Sequence, residues 1–79
     1  MIKERVKLTF PEGLVKEPII TQFIRQFEVV VNIRRASVEE NLGWIICELD
    51  AEQEQLEQGV QWLKELGVEV DRLGDIVEG

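Results

Sequence analysis

An amide at the end of an apolar run is the side chain best placed to do chemistry in this sequence. The run reads Phe27-Glu28-Val29-Val30-Val31-Asn32-Ile33-Arg34, and a second arginine, Arg35, follows it. Asparagine disfavours strand interiors, so Asn32 after three valines needs a reason. It either caps the turn that follows the strand or presents its amide to the polar group of a ligand. The residues leave both open.

The other candidates for chemistry are weaker. The chain has no histidine and no tyrosine, which removes the commonest general base and the usual zinc or copper ligand. Cys47, the single cysteine, has no histidine to activate it and reads as a buried thiol in mid-strand. There is no CxxC pair for a zinc site or cluster and no glycine-rich phosphate loop. Glu39-Glu40 and the run Asp50, Glu52, Glu54, Glu57 offer carboxylates, but on an exposed loop and helix face. Nothing there desolvates them enough to raise a pKa for acid–base work. No enzyme and no cofactor is expected.

Composition narrows the partners. The 79 residues carry a net charge of −7, unevenly spread. Residues 1–40 hold seven basic and six acidic groups (+1), and residues 41–79 hold two basic and ten acidic groups (−8). A phosphate-backbone partner needs clustered Lys and Arg, so nucleic acid is not expected. No apolar run is long enough to cross a bilayer, and residues 1–10 alternate like a strand rather than forming a signal peptide. One unpaired cysteine fits a reducing compartment, so a cytoplasmic protein is expected.

The elements that must position Asn32 follow from periodicity. Arg5 to Phe10 alternates as a first strand, with Val6, Leu8 and Phe10 on one side. Pro11-Glu12-Gly13 ends it. A helix opens near Pro18 and carries Ile19, Ile20, Phe23, Ile24 and Phe27 as one stripe. A second strand is expected from Glu28 to Arg34, with Val29, Val31 and Ile33 inward. A polar connection from Arg35 to Leu42 leads through Gly43 to a third strand, Trp44 to Leu49. Asp50 with Gln53 resembles a capping box for a second helix lined by Leu56, Gly59, Val60, Leu63 and Leu66. Trp62 falls at the edge of that stripe and reads as packing. Gly67 ends the helix, Val68 to Arg72 forms a fourth strand, and Leu73, Ile76 and Val77 of the tail could pack.

The order is βαββαβ. Two helices suffice for one face of such a sheet, which gives an α+β, ferredoxin-like fold: four antiparallel strands with both helices on one side. The open face is expected to hold Lys7, Thr9, Val30, Asn32, Arg34, Trp44, Ile46, Glu48, Glu69 and Asp71. Val30, Trp44 and Ile46 would form an apolar patch there, and such patches mark interfaces. A homodimer that buries this face or pairs sheet edges is expected. A single aromatic among acidic residues is a poor platform for stacking RNA bases.

Taken together, Leu8-Thr9-Phe10, Pro18-Ile19-Ile20, Asn32-Ile33, Gly43 and Gly67-Val68 in this order resemble the NIL domain, over about Val6 to Val70. The name comes from an Asn-Ile-Leu run, and Arg34 stands where the leucine would be. The resemblance implies the C-terminal regulatory domain of methionine ABC importer ATPases, which pairs as a dimer and binds methionine to inhibit transport. It implies that Asn32 and Ile33, with Arg34 beside them, belong to the ligand site. Because there is no nucleotide-binding domain, residues 1–79 read as a single, stand-alone NIL-like domain. The competing reading is an interaction module without a ligand, in which Val30, Trp44 and Ile46 dock a protein partner.

Overall fold

The structure is a computed structural model that describes residues 1–15, 17–39 and 42–75. The elements run β1 (Ile2–Pro11), α1 (Ile19–Phe27), β2 (Val30–Val38), β3 (Leu42–Ala51), α2 (Gln53–Leu66) and β4 (Glu69–Asp75). They form a single four-stranded sheet in the order β2-β3-β1-β4, with every neighbouring pair antiparallel. This is the ferredoxin-like α+β architecture that the element order predicts.

Both helices lie on one face. The alternation of β1 and β3 turns Val6, Leu8, Phe10, Cys47 and Leu49 toward Ile19, Phe23, Phe27, Leu56, Val60 and Leu63 of the helices, and all of them are buried. Trp62 packs at the edge of this core, its ring 5.6 Å from that of Phe27. The helices approach closely because residue 59 has no side chain: a Cβ there would sit 2.5 Å from the Phe23 ring. Gly67 ends α2 in the left-handed conformation, φ 103°, which glycine adopts without steric cost.

Several boundaries differ from the expected ones. Glu28 is the left-handed cap of α1, φ 53°, so it ends the helix rather than opening β2. Pro18 occupies the cap position just before α1, and its carbonyl accepts from Gln22 N–H. Asp50 belongs to β3; Glu52 stands at the α2 N-cap without a side-chain capping bond, so the capping box does not form. β2 continues to Val38, four residues past Arg34, and β3 already starts at Leu42. The expected long connection is therefore a tight hairpin, with Glu39 N–H donating to the Leu42 carbonyl. Of the apolar residues expected in the tail, Leu73 is exposed within β4, while Ile76 and Val77 lie outside the described residues.

Candidate functional site

The register fixes which side chains share the open face. Across β2, β3 and β1 the rows are Val30–Asp50–Lys3, Asn32–Glu48–Arg5, Arg35–Ile46–Lys7 and Ser37–Trp44–Thr9. On the far side of β1, Asp71 and Glu69 of β4 pair with Lys7 and Thr9. The β2–β3 register shifts between Ile33 and Arg35. Arg34 is the extra residue of this bulge, and a bulge re-aims the side chain it carries. Its Nε comes within 3.8 Å of Glu48 Oε2 on the open face.

Glu48 is the electrostatic centre of that face. Its Oε2 accepts from an Nη of Arg5 at 3.0 Å, and its side chain is only 17% exposed. Beside it lies a shallow depression of about 110 Å³, lined by Lys3, Val30, Asn32, Glu48 and Asp50. Asn32 therefore brings its amide to a site that Lys3 and the carboxylates of Glu48 and Asp50 also line. Such a set can satisfy both charged ends of a small zwitterion through charge-assisted hydrogen bonds.

The residues singled out in the sequence are not all brought together. Asn32 and Arg34 flank Glu48, and Val30 lines the depression. Ile33 pairs with Cys47 and so faces the helix side of the sheet. There it stays 53% exposed, because β2 is an edge strand beyond the reach of the helices. Trp44 and Ile46 are neighbours on β3, with the Lys7 ammonium 5.4 Å from the Trp44 ring centroid, a cation–π distance. Val30 stands two rows away from Ile46, separated by the row of Asn32 and Glu48. The apolar patch is thus divided by charge. Trp44 also borders an apolar cavity of about 110 Å³ at the other end of the sheet, between the start of α1 and the β2–β3 hairpin.

The remaining candidates play structural parts. Cys47 is fully buried, and desolvation, reinforced by the neighbouring Glu48 charge, pushes its thiol up to about 11. It stays protonated and unreactive at neutral pH. The acidic run does not converge: Asp50 lies on the open face, Glu52 caps α2, and Glu57 is drawn to Arg72.

That last contact belongs to a cluster the periodicity did not anticipate. The Arg72 guanidinium donates through Nε and Nη to both oxygens of Glu4, at 2.5 and 2.8 Å, and through its other Nη to Glu57 at 2.6 Å. Hydrogen bonding from Arg72 lowers the Glu57 pKa, and its bonds to Glu4 and then Glu57 hold Arg72 more firmly protonated. Glu4 is buried beneath α2. The signal was its parity: Glu4 shares the inward phase of Val6, Leu8 and Phe10, where an acid must find a partner.

Comparison with known proteins places this geometry. The NIL domain family model matches residues 4–72. Two methionine import ATP-binding proteins, MetN, are similar: that of Coxiella burnetii is 34% identical over 73 residues, and that of Helicobacter hepaticus is 30% identical over 71. The matches cover 87% and 85% of this chain but only 21% and 20% of those proteins, so the chain spans about one-fifth of their length. Among solved structures, the C-terminal domain of an ABC transporter ATP-binding protein from Enterococcus faecalis superposes with a TM-score of 0.77 at 23% identity, covering 90% of this chain and 83% of that one. The de novo designed protein Foldit4 shares the fold at 11% identity, with a TM-score of 0.60 over 99% of this chain and 98% of its own.

Proposed function

The chain belongs to the NIL domain family, and from that premise we propose that it is a non-catalytic regulatory domain that binds a free amino acid beside Asn32, near the interface of a homodimer. The observation that carries this reading is the depression itself. It gathers the Asn32 amide and the Asp50 carboxylate, with Lys3 and Glu48 in its lining, around one small volume, complementary to the α-carboxylate and α-ammonium of an amino acid. Methionine is the first ligand to try, because the relatives are named for its import. A cytoplasmic location and a single domain over residues 1–79 are part of the same proposal; among the described residues no helix is long and apolar enough to cross a membrane.

The dimer reading is supported by β2. It is an edge strand of nine residues, so one row of its N–H and C=O groups is unpaired within the sheet. Val30, Ile33 and Val38 along it are exposed at 60%, 53% and 74%. Such an edge recruits another strand unless something blunts it. A ligand beside this edge would favour one dimer arrangement through its differential affinity for the two states.

A thermal-shift screen against the twenty standard amino acids, followed through Trp44 and Trp62, tests this function. A ligand at a hundred times its dissociation constant stabilises by about 2.7 kcal/mol, a shift of many degrees for a small domain. Asn32→Ala is expected to remove that shift and keep the fold; an undiminished shift would take Asn32 out of the site. The second reading, an interaction module without a ligand, is favoured by the adjacent Trp44 and Ile46. It predicts a flat screen together with binding to a protein partner that is lost in Trp44→Ala.

A further inference from the structure

We infer that copies of this chain join head to tail, the β2 edge of one against the β4 edge of the next, in a sheet that continues from copy to copy. The inference rests on the reading that copies pair by sheet edges, and it names the edges; it does not depend on the ligand. Three observations lead there. The first is strand direction. The order β2-β3-β1-β4 makes β2 and β4 the two edges of the sheet, and three successive antiparallel pairings make them run in opposite directions. A second copy set beside the first in the same orientation therefore offers its β4 antiparallel to β2, with its helices on the same side. The antiparallel hydrogen-bonding pattern then carries on across the seam.

The second is charge. The charged residues of β2 are Arg34 and Arg35, with no acid among them. Those of β4 are Glu69, Asp71 and Asp75, and its single cation, Arg72, is held by Glu4 and Glu57. Among the described residues no ion pair engages Arg35, Glu69 or Asp71. Charge on an edge strand discourages pairing with a like edge: β2 against β2 gathers arginines, and β4 against β4 gathers acids. The unlike seam sets opposite charges across from each other, which stabilises cross-strand neighbours.

The third is the match of faces. Glu69 and Asp71 lie on the open face with their β1 partners Thr9 and Lys7, and Arg35 and Ser37 lie on it with Ile46 and Trp44. With Arg35 opposite Asp71 of the next copy, antiparallel register puts Ala36 opposite Val70 and Val38 opposite Val68 on the helix side. Val38, 74% exposed in the single chain, gains an apolar neighbour there. A slip of one residue would set charge against valine, so alternation holds the register.

Sedimentation equilibrium of the purified chain over a wide concentration range tests the seam. A head-to-tail contact builds a growing row or a ring rather than a closed pair, so the average mass is expected to climb past two copies, and less steeply as salt rises. The double reversals Arg34→Glu with Arg35→Glu, and Glu69→Lys with Asp71→Lys, are each expected to weaken association by about tenfold, with the circular dichroism spectrum unchanged. An equimolar mixture of the two is expected to associate like the unaltered chain, because complementary edges then meet at every seam. The milder Glu69→Gln with Asp71→Asn, which adds no ammonium beside Lys7, is expected to show a smaller loss in the same direction. If the mass levels off at two copies, or the β4 reversal leaves association unchanged, the head-to-tail seam is overturned and the homodimer reading survives. If the chain is a monomer at every concentration, both fall, and the amino-acid screen still decides the ligand.

Discussion

On the helix-covered side of the sheet, Val6, Leu8, Cys47 and Leu49 have no solvent exposure at all. On the opposite side, their strand neighbours Arg5, Lys7, Ile46 and Glu48 stay partly or fully exposed. The same two strands and the same period of two serve both faces. One face is apolar and close-packed, so its contacts are worth much and tolerate little. The other is charged and open, so its contacts contribute little to stability and are available to a ligand. Stability and recognition are therefore separated across a single pleat.

The largest expected effect strikes the packed face. Phe23 is fully buried against Gly59 and Phe27, and Phe23→Ala should cost about 3–5 kcal/mol. In a domain this small that is most of the folding free energy. A urea melt retaining a near-native midpoint would break the comparison outright.

Next comes Cys47. Its thiol is held near 11 in the fold against an unperturbed 9.0. Above pH 9 the unfolded chain releases this proton and the native one keeps it, so stability falls as pH rises from 9 toward 11. The loss should reach about 1 kcal/mol by pH 10, and Cys47→Val should remove it. Denaturant melts between pH 8 and 10.5 check this; identical slopes for the two proteins would show that the thiol is not shielded.

The smallest effect is expected on the open face. Arg5 is half-exposed and bonded to Glu48, and Arg5→Ala should cost about 0.2–1 kcal/mol, less in high salt. A loss as large as that of Phe23→Ala would mean that the open face, too, holds the fold together.

How much of this could be read from the residues depends on which face they serve. The core was legible because burial forces alternation in β1 and β3 and a stripe in each helix. The far half of β2 was not. Arg35, Ala36 and Ser37 lie on an edge strand that no helix covers, so nothing selects apolar residues there and the segment reads as a loop. Asn32 was legible as an open-face residue from its place beside Val31. So was Arg34, which alternation puts on the face of Glu48; the arrival of Arg35 on that same face, opposite Ile46, was not, because a bulge is a property of pairing between strands rather than of either strand. Ile33 was assigned its side of the sheet correctly, yet it lacks the burial that usually follows, since α1 and α2 stop short of the edge.

The ion cluster of Glu4, Arg72 and Glu57 joins groups 68 and 15 residues apart in the chain, and it sits where β1 begins and β4 ends. Glu4 pairs with Asp75 across those strands, so these two backbones lie side by side at one end of the sheet. Force applied at Glu4 and Asp75 would peel β1 from β4 one hydrogen bond at a time, and the Arg72 clasp on Glu4 would resist early.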